Sequence, residues 1–372
     1  MNALAEDVKR QIESEVLTCK QCRKCLLVCP IPEAKDIDVS ELNLEILSEK
    51  PSKKMLNFAF LCFSCGACNY SCPEYIRRDL HMVYLRSKGK LPKGYNNLLH
   101  WRGKRIGKVE RALYGLKKVK DSPSAEISRH IDKLEFKKTE LLFYFACYAY
   151  SPSDVPQKTL AIADRLGLDY EVVAGYLHCC GWPHFLAGEL EKAEGLFIDL
   201  FNTIAGTGAK KVVTGCAECY QALKFIKERF AGEFQVLTTP EWLVENQEKL
   251  GLKKTELKAT FHDACQLSRL EDKQEVPRRL LKELFSLVEM EDNGKNTLCC
   301  GGMRAGHEPQ GLIQLREKRL LDARNTGAAV MITECVTCLE KYHPLAKDIQ
   351  VKDLTEAVYD SLKGEGSKPT GT

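Results

Sequence analysis

Eighteen cysteines are the residues of this 372-residue chain best suited to chemistry, and every one falls into a pattern. Two runs lie within the first 72 positions: Cys19, Cys22, Cys25, Cys29 and Cys62, Cys65, Cys68, Cys72. Each is spaced C-x₂-C-x₂-C-x₃-C and each is closed by a proline. The other ten form two quintets, Cys147, Cys179, Cys180, Cys216, Cys219 and Cys265, Cys299, Cys300, Cys335, Cys338. Clustered thiols in a reducing compartment hold metal or carry electrons rather than close disulfides. Three cysteines at two-residue gaps can wrap one face of an iron–sulfur cube. Structural zinc, usually built from paired C-x₂-C knuckles, accounts poorly for three close cysteines followed by Cys-Pro. Five thiolates exceed both a single zinc ion and an ordinary cube, and a vicinal Cys-Cys disulfide would be strained. A cysteine-rich polynuclear iron–sulfur cluster uses all five. Zinc in one quintet, with one cysteine to spare, stays open as the alternative.

Those thiols need elements to hold them. The quintets repeat at a spacing of 118 to 120 residues, and QVLTTPEWLVENQEKLG (235–251) resembles QVKDLTEAVYDSLKG (350–364). Each half reads as apolar strand, helix, Cys-Cys-Gly turn, helix, strand and Cys-x-x-Cys. The strands are LLFYFA and KVVTG in the first half, LKATFHD and AAVMITE in the second. Strands alternating with helices predict parallel α/β units, with cysteines at the carboxyl ends of strands where such folds bind ligands. The expected fold is therefore α/β with a helical N-terminal part: a helical two-cluster domain over 1–85, including a short helix at Val39 to Leu47, then two pseudo-twofold-related α/β units over 136–251 and 252–364. A basic connector fills 86–135, and a Gly-, Ser- and Lys-rich stretch over 365–372 reads as a disordered tail.

Composition bounds the partners. Hydrophobic residues at 44% and charged residues at 28% are those of a globular protein with two to three domains. The longest apolar run, Leu141 to Tyr150, falls well short of the roughly 20 residues a membrane helix needs. Acids within the first seven residues and no apolar h-region argue against a secretory signal, so a cytoplasmic location is expected. A net charge of +4 does not suggest nucleic-acid binding. That charge conceals an asymmetry, because Arg86 to Lys120 holds twelve Lys or Arg residues against Glu110 alone. With Tyr95, Trp101 and Tyr114 interleaved, this run is read equally well as a peripheral contact with a membrane surface or acidic partner and as a solvated face. No G-x-G-x-x-G or Walker pattern follows a strand, so electrons must come from a partner.

Both N-terminal runs fit the bacterial two-cluster ferredoxin spacing, in which the fourth cysteine serves the other cluster. The resemblance implies one cubane [4Fe–4S] site at Cys19, Cys22, Cys25 and Cys72, and a second at Cys62, Cys65, Cys68 and Cys29. The quintets resemble the paired CCG domains of the heterodisulfide reductase family, and the leading segment resembles that family's ferredoxin-type polypeptide. A single chain joining the two in this order resembles the family's fused form. That resemblance implies a noncubane [4Fe–4S] cluster at each quintet and reduction there of a CoM-S-S-CoB-type disulfide. Its candidates for bond cleavage are Cys179, Cys180, Cys299 and Cys300. It also implies an electron-donating partner, either a membrane cytochrome b or a flavoprotein. Iron–sulfur subunits of glycolate and lactate oxidases share the architecture, so a pure relay for a flavin-dependent 2-hydroxyacid dehydrogenase is the competing reading. The stretch CCGGMRAGH (299–307) departs from the family's glycine-rich run and leaves the local pocket open.

His184 and His307 each follow a CCG and are candidate proton donors to departing thiolates, while Arg269 and Arg304 could face an anionic substrate. For any one of these four, a local hydrogen-bonding role is the plainer reading. His262, at a strand end, reads as structural.

Overall fold

The structure is a computed structural model that describes residues 3–92, 99–105, 124–151, 153–302 and 310–363. The N-terminal part is helical. Helix Ala3–Thr18 buries Leu4, Val8 and Ile12, one face at four-residue spacing. Asp38 caps helix Val39–Leu47 by accepting from the Ser40 and Glu41 amides, and Ser52 caps Lys53–Leu61 through the Met55 amide. Helix Arg78–Ser87 buries Arg78, Asp79, His81 and Arg86 along with its apolar residues, and so needs polar partners.

Two four-stranded sheets follow. The first comprises β1 (Leu141–Ala146), β2 (Glu171–Ala174), β3 (Lys211–Thr214) and β4 (Gln235–Thr238), in the order β2-β1-β3-β4. The second comprises β5 (Lys258–His262), β6 (Ser286–Leu287), β7 (Val330–Thr333) and β8 (Gln350–Asp353), in the order β6-β5-β7-β8. Every pairing is parallel, and β1, β3, β5 and β7 are the strands expected from sequence. The outer strands β2, β4, β6 and β8 were not foreseen. They have two to four residues, too few to show a period of their own. The matched tails are explained by one device used twice. Each runs straight from an outer strand into a helix, capped by Thr238 with Glu241 in one half and by Asp353 with Glu356 in the other.

The halves pack as a pseudo-twofold pair. The helix following β4 (Thr239–Glu245) lies on Glu275–Leu284, and the equivalent helix following β8 (Leu354–Lys363) lies on Val155–Arg165. A single apolar core runs through both halves and the N-terminal helices. The N-terminal part is fastened to the first half by Arg229, which donates to Asp7 at 2.7 Å and Glu194 at 2.6 Å. Arg86 donates to three carbonyls, those of Ala59, Cys62 and Leu186.

Part of the basic stretch turns inward. Besides Arg86, Lys88 donates to the Ile46 and Ser48 carbonyls and Arg105 to the Asp132 carbonyl at 2.8 Å, so these three cations bond backbone within the chain. Tyr95, Glu110, Tyr114 and the remaining cations after Arg105 lie outside the described residues, as does the 365–372 tail. Among the described residues no helix is long and apolar enough to cross a membrane.

Candidate metal centres

Both N-terminal runs fold as the same loop. Gln21 and Arg23 in the first, and Ser64 and Gly66 in the second, take the left-handed conformation at matching positions. Each loop turns an amide onto its first sulfur: Gln21 N donates to Cys19 Sγ at 3.4 Å and Ser64 N to Cys62 Sγ at 3.3 Å. A cavity of about 20 Å³ is lined by Cys19, Cys22, Cys25 and, from the second run, Cys72. Of these, Cys22 is exposed. Arg78 Nη2 donates to Cys19 Sγ at 3.0 Å, and its other nitrogen is 2.8 Å from His81 Nδ1. His81 in turn pairs with Glu15 at 2.8 Å, a buried line of charge behind the loop. Cys29 joins the opposite group. Burial pushes its thiol up to about 12, and nearby Cys62 and Cys65 add to the effect. The structure thus brings Cys72 to the first run and Cys29 near Cys62 and Cys65 of the second.

In each quintet the lone cysteine follows the first central strand closely: Cys147 directly after β1, Cys265 three residues after β5. The Cys-x-x-Cys pair starts two residues after β3 or β7 and opens a helix. The glycine of each CCG is left-handed, and a Cβ there would lie 2.8 Å from the Phe197 ring at Gly181 and 2.1 Å from Leu312 at Gly301. Within each half the second CCG sulfur lies beside two thiols. Cys180 neighbours Cys179 and Cys219, while Cys300 neighbours Cys299 and accepts from Cys338 at 3.4 Å. Both thiols are held well below the ordinary range, first by the neighbouring CCG thiol. All five cysteines of the second quintet line a cavity of about 20 Å³.

These contacts join across the molecule. Cys299 neighbours Cys65 of the N-terminal part and lowers its pKa, and Cys216 neighbours Cys335 across the pseudo-twofold and lowers its pKa. Neighbouring sulfurs that shift one another's titration therefore run through Cys65, Cys299, Cys300, Cys338, Cys335, Cys216, Cys219, Cys180 and Cys179. Backbone braces the joints: Ala217 N reaches Cys335 Sγ at 3.4 Å and Val336 N reaches the Gly215 carbonyl at 3.1 Å. Among the described residues no three Cys, His, Asp or Glu side chains close on a single ion-sized point. Sulfur donors spread around cavities suit a polynuclear iron–sulfur cluster, whose irons are ligated at separate corners.

Scanning against known families matches a 4Fe-4S dicluster domain over residues 15–77 and the cysteine-rich CCG domain twice, over 141–224 and 259–341. The chain thus carries a 4Fe-4S dicluster domain followed by two CCG domains. It is similar to the B component of the fumarate reductase (CoM/CoB) of Methanothermobacter marburgensis, at 24% identity over 86% of this chain and 66% of that one. It is also similar to the D component of the dihydromethanophenazine:CoB–CoM heterodisulfide reductase of Methanosarcina barkeri, at 27% identity over 60% of this chain and 59% of that one. A third relative, EtfAB:quinone oxidoreductase of Syntrophomonas wolfei, is 23% identical over 80% of this chain and 45% of that one. The match spans less than two thirds of each of these relatives.

This CCG protein places the remaining candidates as follows. His184, on helix Trp182–Ala187, is buried and pairs through Nδ1 with Glu189 at 2.7 Å; burial lowers its pKa. Arg269 spends its guanidinium on the Lys295, Cys65 and Thr297 carbonyls, so it fastens the dicluster domain to the second CCG domain and meets no substrate. His262 is fully buried between Arg319 and the Tyr342 ring. Arg304 and His307 lie outside the described residues. Two residues at the CCG sites had no sequence signal. Arg102 donates to Cys147 Sγ at 3.1 Å and to Cys179 Sγ at 3.7 Å. Glu218 lines the second-quintet cavity from the first half, and burial pushes its pKa up to about 8.

Proposed function

We propose that this chain is an iron–sulfur oxidoreductase subunit that reduces a disulfide at its CCG sites with electrons received through the dicluster domain. The adjacency of the second dicluster run, through Cys65, to the second quintet, and of the second quintet to the first across Cys335 and Ala217, carries the reading, because it places the sulfur groups next to one another along one electron route. Cys19, Cys22, Cys25 and Cys72 would hold one cubane, and Cys29, Cys62, Cys65 and Cys68 the other. Each quintet would hold a noncubane cluster. The four clusters would supply one-electron storage and a soft metal surface for sulfur.

The protein's own groups do the rest. Arg78 and Arg102 place cationic charge on sulfurs that must stay anionic, and amides such as that of Gly301, 3.2 Å from Cys299 Sγ, spread the negative charge further. Cleaving one disulfide consumes two electrons and two protons and yields two thiols. His184, held by Glu189, is the candidate proton store beside the first CCG. The electron donor would be a flavoprotein or a membrane cytochrome b bound outside the dicluster domain, where Cys22 is exposed.

The relay reading draws on the relative named as a quinone oxidoreductase. The two separate in one experiment. Holoprotein reduced anaerobically with titanium(III) and freed of reductant is mixed with a small disulfide. Reoxidation of the visible spectrum with two thiols released per two electrons is expected. Protein that stays reduced in excess disulfide, yet is reoxidised by a quinone or a flavoprotein, would make the chain a relay.

A further inference from the structure

The two CCG domains share a fold but not a polar interior. In the second, His262, Thr333 and Asp353 stand in register across β5, β7 and β8, so their side chains share one face of the sheet. Thr260 lies on that face two residues before His262, and the Tyr342 ring meets the His262 ring edge-on with centroids 4.7 Å apart. Each of the five is at most 2% exposed. Among the described residues each also keeps a polar atom without a partner: Thr260 Oγ1, His262 Nε2, Thr333 Oγ1, Tyr342 Oη and Asp353 Oδ2. The first domain carries Tyr144 and Thr238 where the second carries His262 and Asp353. There Tyr144 Oη donates to the His178 carbonyl at 2.7 Å, and Thr238 Oγ1 donates to Glu241 at 3.0 Å.

Orphaned buried polar atoms gathered on one face mark a place for internal water, because a donor or acceptor shut away from both protein and water is costly. Arg319 Nε donates to His262 Nδ1 at 3.1 Å, and an arginine only donates, so the ring proton is on Nε2. One end of the face leads to solvent. Asp353 Oδ1 accepts from the Thr355 amide at 2.8 Å, and Glu356 accepts from the Asp353 amide at 2.9 Å. Glu356 lines an open cleft of about 840 Å³. The other end leads to the second quintet. Tyr342 lies one helical turn after Cys338 and is acted on by the charge of Cys300 and Cys338, while the charge of Cys335 acts on Asp353.

Burial pushes the Asp353 carboxyl up to about 7, and the Glu356 charge adds to the effect. Lys158, on helix Val155–Arg165, pairs with Glu356 at 3.5 Å. Glu340 and His343 stand along the cleft, Glu334 and Cys335 follow β7, and Arg319 lies behind His262. Lys352 is on the opposite face of β8 and pairs with Asp360 at 3.0 Å.

We propose that reduction of the second CCG site is coupled to uptake of one proton by Asp353, delivered from the cleft by water held on this face. An electron arriving from the dicluster domain adds negative charge to a buried site, which is costly unless a counter-charge comes with it. Added negative charge also raises the proton affinity of a nearby carboxylate. Asp353 therefore takes one proton as the site takes one electron, and returns it to the cleft on reoxidation. Apart from that O–H bond nothing is made or broken. The first domain, with Thr238 in the equivalent place, has no such carboxyl there. The inference rests on a cluster at the second quintet and not on disulfide cleavage.

Redox titrations of anaerobic holoprotein followed by EPR, repeated from acid to alkaline pH, test it. One CCG midpoint is expected to be level below the Asp353 pKa. Above it the reduction equilibrium should fall tenfold per pH unit, about 59 mV for one electron. Asp353→Asn, which keeps an acceptor for the Thr355 amide, should remove that slope and leave the dicluster midpoints in place, while Asp353→Glu should retain it. Glu356→Gln should move the bend to lower pH, because one of the charges raising Asp353 is gone. If Asp353→Asn fails to load iron, the bend in Glu356→Gln decides. A wild-type midpoint independent of pH, a slope that survives in Asp353→Asn, a bend unmoved by Glu356→Gln, or a slope lost only in Glu340→Gln overturns the assignment. A crystal structure of the anaerobic holoprotein should show ordered water on His262 Nε2, Thr333 Oγ1 or Asp353 Oδ2, and a dry face would overturn the route. Iron missing from the second quintet would overturn the cluster reading and this coupling with it, whereas a loaded site with a level midpoint overturns the coupling alone.

Discussion

Replacing Cys300 with alanine is expected to abolish disulfide reduction by holoprotein fed from reduced methyl viologen, a loss of at least about a thousandfold, the scale seen when one member of a unit that acts together is removed. Cys300 is central to the second quintet: it lies beside Cys299, accepts from Cys338 at 3.4 Å and sits one residue before the left-handed Gly301. Alanine there removes a sulfur from the site between Cys65 and Cys216, so the first quintet is expected to be cut off from the dicluster domain. Cys180→Ala should be equally damaging, because Cys180 lies beside Cys179 and Cys219 in the same way. In both variants the dicluster cysteines other than Cys65 are not among these neighbouring sulfurs, so their reduced EPR signal should persist. Cys22→Ser should behave oppositely, blocking supply from the natural donor while leaving viologen-fed reduction measurable. Full viologen-fed activity in both Cys180→Ala and Cys300→Ala would remove the CCG sites from the chemistry.

Arg278→Ala is expected to destabilise the folded protein by about 3–5 kcal/mol, the cost of leaving a buried ion-pair partner alone. Arg278 grips the fully buried Asp263 with two nitrogens, at 2.6 and 3.0 Å, and Glu289 with Nε and Nη2, at 2.8 and 3.0 Å. Burial opposes the charge on Arg278, yet these carboxylates hold its pKa above the ordinary arginine value. Asp263 also accepts from the Gly294 amide at 2.7 Å and lies two residues before Cys265, so the pair fixes the approach to the second quintet. Urea unfolding of anaerobic holoprotein measures the effect, and Cys265-dependent iron should be lost alongside. A change below about 1 kcal/mol would place the pair among ion pairs that contribute little.

The cysteine pattern made much of this legible. Spacing alone separated two ferredoxin-type runs from two quintets, and the repeat interval exposed a duplicated α/β unit. The first central strand was visible because LLFYFA is apolar on both faces, as a buried parallel strand must be. The short outer strands were not, since Ser286–Leu287 has no pattern to read. Nor did sequence show that the dicluster domain meets the second CCG domain, the one farther along the chain, through Cys65 and Cys299. Contacts across more than 200 residues leave no local trace. Arg102 was hidden for a related reason. Within a run of twelve cations nothing distinguishes the one whose guanidinium turns inward onto sulfur, and only the fold does so.

Iron, acid-labile sulfide and zinc on anaerobically purified or reconstituted protein test the central claim most directly. Two cubanes and two four-iron CCG clusters give about 16 iron atoms per chain with negligible zinc. About 12 iron with one zinc would assign zinc to one quintet and break the electron route at that half. About 8 iron would leave the dicluster domain loaded and the CCG sites without clusters, contradicting the account.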